Sequence, residues 1–332
     1  LRLNRDSLKI GAQGGGDPEN GETKRMTGYR VGLALGGGAA RGWSHIGVVE
    51  ALVEAGIEPV AVAGTSMGAL VGAAHAAGRL DALKEWAVAV DWRAIVALAD
   101  IGVAGGGVVE GRRIRALLHE LGLDGDIGAL AIPFAAVATD LADGREIWLR
   151  DGPLDLAIRA SISMPGIFSP VLAGERWLVD GGLVNPVPVS TCRALGADFV
   201  IAVHVGDGLL GRRRDRLRVD PEGDAALRAA RIAQMLEQAP FPLREAAGRV
   251  LPHLVKTQTR TPGYFDVLVN SLNIMQDKIN SSRLAGEPPH VLIAPQVATI
   301  NLLDFDRAAD AIAAGRAAAE SALGTIGEML AR

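Results

Sequence analysis

Three short segments carry residues able to do chemistry together. Gly64-Thr65-Ser66-Met67-Gly68 has the form G-x-S-x-G and stands between an apolar strand pattern and a helical one. On a sharp strand-to-helix turn a serine is held with its oxygen exposed, and Gly64 and Gly68 let the backbone close without side-chain clashes. The helix N-terminus that follows favours developing negative charge, so the arrangement suits nucleophilic attack on a carbonyl. Alone, the pentapeptide also fits a structural turn whose serine caps the helix. The second segment, Gly36-Gly37-Gly38-Ala39-Ala40-Arg41-Gly42, lies after a strand and before a helix. Its glycines can aim backbone N–H groups at an anion. A P-loop would need Lys-Ser/Thr where Trp43-Ser44 stands, and a dinucleotide loop would need glycine or alanine where Arg41 stands. An oxyanion hole needs only donors and close approach; a tight packing turn is the alternative. The third segment, Asp180-Gly181-Gly182, sets a carboxylate at a strand's end, where a site or a plain Asp-Gly turn would stand.

Histidine keeps a rival open. An α/β-hydrolase orders its triad Ser, acid, His, and His204, His253 and His290 all follow Ser66. His204 falls inside an apolar strand pattern and His290 starts one, so both read as core or edge residues. His45 and His75 fall on predicted helices and His119 near a helix end; none is assigned a role.

These segments are useful only if the elements around them converge. Apolar runs predict strands at 31–35, 60–63, 134–139, 146–149, 177–180, 199–205 and 290–294. Helical spacing predicts helices at 43–55, 69–77, 83–90, 112–121, 225–238, 265–279 and 304–323. Strands alternating with helices imply an α/β fold with a mainly parallel sheet and helices on both faces. Between residues 206 and 289 the pattern loosens, which reads as a helical insertion before the last strand. The longest uncharged stretch, 59–78, is long enough for a bilayer, yet it holds Pro59, Gly64, Thr65, Ser66, Gly68, Gly72 and His75. A strand, a turn and a buried helix account for it better.

With 332 residues, 49% of them hydrophobic and 22% charged, the chain can bury a large core, which excludes wholesale disorder. It suits one large α/β domain or two small ones. The formal charge of -4 leaves no basic field for nucleic acid. Cys192, the one cysteine, excludes a disulfide framework and a Cys-built zinc site. Glycine, at 42 residues, is nearly twice its usual ~7% and sits among apolar runs, which points to close backbone packing. Residues 1–29 are polar and Gly-rich without an apolar h-region; they read as a disordered lead-in, with Met26 expected to be the natural start.

The glycine loop with its arginine, the G-x-S-x-G turn, the segment Ala160-Ser161-Ile162-Ser163-Met164-Pro165-Gly166-Ile167-Phe168 and the D-G-G, in that order, resemble the patatin-like phospholipases. Arg41-Gly42-Trp43-Ser44-His45-Ile46-Gly47-Val48 is most similar to the bacterial branch related to neuropathy target esterase and its short RssA-like relatives. The resemblance covers most of 31–324 and omits the first thirty residues; 212–218 does not align. It implies a three-layer patatin-like fold over 30–332, with the insertion at about 206–289. It implies a Ser–Asp dyad: Ser66 as nucleophile and Asp180 as general base, with the amides around Gly36, Gly37 and Gly38 as the oxyanion hole. Arg41, Gly64, Gly68, Gly181 and Gly182 would support them, Arg41 as a brace for its loop. No cofactor or metal is implied. The implied substrate is a long-chain ester of a phospholipid or lysophospholipid, and the implied setting is cytoplasmic, peripheral to the inner membrane face. Oligomeric state and positional specificity stay open, as does a catalytically silent lipid-binding role. Two features bear on lipid. Phe265, Leu268, Leu272, Met275 and Ile279 form a helical stripe that would line an acyl tunnel or belong to ordinary core. The arginine-rich run 212–218 would meet anionic head groups or stand as a solvated loop.

Overall fold

The computed structural model describes residues 28–91, 94–95, 109–206 and 264–332, apart from the side chains of 264–266 and 269. The chain divides into a body, Leu1–Asp207 with Ser271–Arg332, and a second unit, Gly208–Asn270. Of the second unit only 264–270, the start of a helix, is described. The expected lead-in, the basic run 212–218, His253 and the helix at 225–238 lie outside the described residues.

In chain order come β1 (Val31–Leu35), α1 (Ser44–Glu54), β2 (Ala61–Thr65), α2 (Met67–Ala76), α3 (Leu80–Ala89) and α4 (Arg112–Glu120). Next are β3 (Phe134–Asp140), β4 (Glu146–Leu149), α5 (Leu154–Ser161), β5 (Val171–Ala173), β6 (Arg176–Asp180), α6 (Val189–Ala194) and β7 (Phe199–Val203). The chain closes with α7 (Tyr264–Gly286), β8 (Val291–Ile293) and α8 (Ala308–Leu330). Strands β8, β7, β1, β2 and β3 lie side by side and parallel. β4 and β6 pair antiparallel with β3, and β5 with β6.

Small and large residues alternate along the parallel strands, and that alternation builds the layers. Val31, Leu33 and Leu35, with Phe199, Ile201 and Val203, point into a large core shared with α1, α2 and α8. Ala34, Ala61, Ala63, Val200 and Ala202 point the other way, into a thinner core with Val189 and Cys192 of α6. Apolar groups removed from water on both faces contribute about 25 cal/mol per Å² each, so the strands read as continuous hydrophobic runs. On the larger side α1 and α8 touch backbone to backbone: a side chain at Gly47 would overlap Ile312 O, and one at Gly315 would overlap Ser44 O. Much of the glycine excess serves such approaches.

The expected α/β architecture is present, a central sheet with helices on both faces. Three elements escaped the sequence reading: α5, α6 and β5. Two boundaries differ where the site lies. β2 runs through Gly64 and Thr65, so the turn is confined to Ser66. β7 ends at Val203, so His204 follows the strand and is not inside it. The uncharged stretch 59–78 forms β2, the turn and α2, and among the described residues no helix is long and apolar enough to cross a membrane.

Candidate active site

Register along β3 decides which residues meet. Residues 136–139 of β3 pair with β4 on one edge. On the opposite edge, Val137 faces Thr65 at the end of β2, and Ala138 faces Asp180 at the end of β6. β2 and the antiparallel β6 therefore run toward each other along one side of β3 and stop at adjacent positions. Ser66, the next residue after β2, is delivered to Asp180.

Ser66 turns with φ 54° and ψ -122°, a region costly for any residue with a Cβ, on the order of 1–3 kcal/mol. The surroundings enforce it. A side chain at Gly64 would overlap Gly68 O and Ala69, and one at Gly68 would overlap Leu35 O, so α2 doubles back directly onto β2 and β1. Thr65 Oγ1 donates to Asn185 O at 2.8 Å. The Ser66 N–H donates to Ser161 Oγ at 2.9 Å, and the Ser161 hydroxyl donates to Val137 O at 2.6 Å. Ser66 itself is 6% exposed.

Asp180 is fixed as tightly. Its N–H donates to Ser163 O at 3.0 Å, its carbonyl accepts from Thr139 Oγ1 at 2.8 Å, and Oδ1 accepts from the Gly182 N–H at 2.7 Å. Gly181 packs on Val137 O so closely that a side chain there would overlap it. Burial pushes the Asp180 carboxyl up to about 6, while the Gly182 N–H and the Ser66 hydroxyl pull it down. The hydroxyl thus stands beside the carboxylate. No well-formed hydrogen bond joins them, and the buried Oδ2 has no partner among the described residues. Catalytic contacts are often loose until substrate closes them, and Oδ2 is the oxygen left to receive a proton.

The glycine loop lies over this turn: a Cβ at Gly37 would stand 3.4 Å from Ser66 Cβ, and one at Gly42 would overlap Met67. The expected trio of amide donors is not available as a set. The Gly36 N–H extends the β1–β7 ladder by donating to Val203 O at 3.0 Å, and the Gly37 N–H donates to Pro186 O at 3.0 Å. The physical reason is continuity, since the chain leaves β1 still extended and its first amides keep sheet-like partners. Gly38 remains as a donor. Its N–H and those of Ala39 and Met67 make no hydrogen bond among the described residues. Arg41 is 4% exposed and its Nε donates to Ile300 O at 2.8 Å, as a brace for the loop would.

His290 and His119 have partners of their own. His290 Nδ1 accepts from the Val200 N–H at 2.9 Å, and its ring stacks on Phe199. His119 pairs with Asp155 and Asp124. Among the described residues no histidine hydrogen-bonds Ser66 or Asp180.

Several neighbours carried no sequence signal. The stripe on α7 is turned: Leu272 is buried, Met275 is 48% exposed, and Gln276 approaches Gly182. Polar anchors set that rotation, since Arg283 donates to Val184 O at 3.1 Å and to Glu146 Oε2 at 2.8 Å. Glu146 also accepts from Asn185 Nδ2 at 2.8 Å, which ties α7 to the loop that holds Thr65. His45, passed over as a helix residue, is fully buried with Nε2 2.7 Å from Gly36 O. Spacing between Arg41 and His45 in the glycine-loop segment was the one clue to it. Among the described residues no group of three His, Cys, Asp or Glu side chains is arranged to hold a metal ion.

The chain is similar to several known proteins. Residues 33–193 match the patatin-like phospholipase family. An uncharacterized NTE family protein of Mycobacterium tuberculosis is 37% identical over 335 residues, 89% of this chain and 91% of that protein. Patatin-like phospholipase domain-containing protein 6 of Mus musculus is 34% identical over 188 residues, which is 54% of this chain and 14% of that protein. The crystal structure of VipD from Legionella pneumophila shares the fold, with a TM-score of 0.51 and 14% identity over 90% of this chain and 67% of that one. Sequence and fold together make this chain a member of the patatin-like phospholipases, a family of lipid hydrolases, on its NTE-related side.

Proposed function

We propose that the protein hydrolyses carboxylic esters of phospholipids or lysophospholipids through an acyl-Ser66 intermediate, with Asp180 as the only proton-transfer partner. Asp180 takes the Ser66 hydroxyl proton on Oδ2 as the serine oxygen attacks the ester carbonyl. The tetrahedral oxyanion lies toward the amides of Gly38 and Met67, with Ala39 beside them. Collapse breaks the ester C–O bond, and Asp180 returns the proton to the departing alcohol. Water then repeats the sequence against the acyl-enzyme and releases the fatty acid. One observation carries the reading. A serine in a strained strand-to-helix turn sits against a buried carboxylate whose proton affinity its own hydroxyl lowers.

The carboxyl at about 6 also makes chemical sense. A base near the working pH is mostly ionised at neutrality yet holds a proton well enough to accept one in transit. Turnover should therefore rise as pH climbs through about 6 and level off above. Substrate would reach the site from a membrane that the protein touches peripherally on the cytoplasmic side.

The test uses purified protein and its Ser66→Ala and Asp180→Asn variants on a mixed lipid extract, with released fatty acids and lysolipids identified by mass spectrometry. Release by the wild type alone is the expected result, and it would also define positional specificity. A wild type that releases no acyl chain, and whose Ser66 no fluorophosphonate labels, would refute the proposal.

A further inference from the structure

A buried imidazole at the foot of the glycine loop does work that the reaction scheme above leaves unassigned. His45 is fully buried, and its Nε2 lies 2.7 Å from Gly36 O. A carbonyl oxygen only accepts, so Nε2 carries the hydrogen. Burial holds the ring's pKa down at about 4 despite the bond to Gly36 O, which raises it, so the ring is neutral and Nδ1 is bare. That Nδ1 is buried and has no partner among the described residues. An imidazole kept in apolar surroundings with one nitrogen unsatisfied is a poor choice for packing alone.

The other side of the same peptide explains the choice. Gly36 O and the Gly37 N–H belong to one peptide plane; His45 holds the first and Pro186 O holds the second at 3.0 Å. The Gly36 N–H is held by Val203 O. That plane is held at both ends, and the next amide along the chain, the Gly38 N–H, makes no hydrogen bond among the described residues. We infer that His45 is a positioning residue: its Nε2–H clamps the Gly36–Gly37 peptide so that the Gly38 N–H is aimed at the oxyanion site before substrate arrives. The inference rests on the hydrolase reading for its catalytic consequence, but the clamp itself is measurable without turnover.

Two substitutions separate clamping from filling space. His45→Leu keeps bulk and loses the donor; His45→Gln sets an amide N–H near the place of Nε2–H. With a soluble p-nitrophenyl ester and the full chain, His45→Leu should lower kcat about 100-fold with KM within about threefold, the scale of one oxyanion donor lost. His45→Gln should recover to within about tenfold of wild type. Exchange of the Gly37 amide, followed by NMR, should quicken at least tenfold in His45→Leu and return toward wild type in His45→Gln. The wild-type imidazole should show the neutral Nε2–H form by nitrogen NMR from pH 6 to 8. An unchanged Gly37 exchange rate in His45→Leu, equal loss in both variants, or an Nδ1–H imidazole would overturn the inference. If the wild type shows no turnover, the hydrolase reading fails, and the exchange and tautomer measurements still decide the clamp.

Discussion

The two partners of the site come from contrasting halves of one sheet. Ser66 leaves the parallel half, where every residue of β1, β2 and β7 is buried between helices. Asp180 ends the antiparallel arm, where β5 and β6 show one face to solvent and Trp177 and Leu172 are 52% and 41% exposed. In the parallel half, position is enforced by backbone collisions that only glycine avoids. In the arm one such approach, Gly181 on Val137 O, is joined by hydrogen bonds from Thr139 and Gly182 and by pairing with β3. A strained nucleophile suits the first setting, because close-packed walls hold an unfavourable turn in place. The carboxylate ends the second, at the buried end of β6, where Leu178, Val179 and Asp180 are all enclosed.

Substitutions test that contrast, the most severe first. Ser66→Ala and Asp180→Asn should each cut ester turnover by about 10⁴-fold or more while the far-ultraviolet circular dichroism stays unchanged, because partners acting as a unit fail together. A histidine requirement would show instead as a comparable loss in His204→Ala, His253→Ala or His290→Ala, each expected to stay near wild type. Next is Gly68→Ala. Its methyl would overlap backbone atoms of Leu35 and Gly36, and chemical denaturation should record a loss of about 3 kcal/mol or more. Gly174→Ala, at the tip of the arm with open space around it and φ +62°, should cost only about 1 kcal/mol.

Asp180→Asn makes the subtler test, because it should stabilise. The carboxyl's folded pKa, about 6, lies above its ordinary value of 3.8, so the folded protein binds the proton more tightly. The associated stability is fully present below about pH 4 and is lost as pH rises through about 6. Above that, the buried charge costs on the order of 3 kcal/mol. The variant should therefore melt several degrees higher than wild type at pH 8, and the difference should shrink toward pH 4. A difference independent of pH would mean that the charge is not what strains this end of the arm. The smallest effect belongs to the arm's outer face, where Leu172→Ser should change stability by no more than about 0.5 kcal/mol.

The same contrast governs which elements the sequence reveals. β1, β2 and β7 announce themselves because burial on both faces leaves unbroken apolar runs. Ser66 is legible because glycine is needed on either side of its turn, and Asp180 because two glycines follow it. The missed α5 carries Asp155 and Arg159, both buried, in the middle of its pattern. Asp155 is neutralised by Arg115 at 2.6 Å, a pairing that no local window reveals. β5 is three residues long and half exposed, too short to show a period. At the glycine loop the composition promised donors, but which amides are already engaged depends on Val203 and Pro186, far along the chain. The facing of α7 is hidden for a similar reason, since the bonds of Arg283 to Val184 and Glu146 lie outside the apolar stripe and join residues far apart in the chain.

The head-on meeting of β2 and β6 on β3 has a consequence for how activity arises. The two strands do not pair with each other, and their shared neighbour must find both across long stretches of chain. Secondary structure and collapse can form before both pairings are in register, but the reactive serine cannot. Covalent labelling of Ser66 during refolding should therefore lag behind the recovery of helix signal, which makes the probe a clock for the last step of assembly.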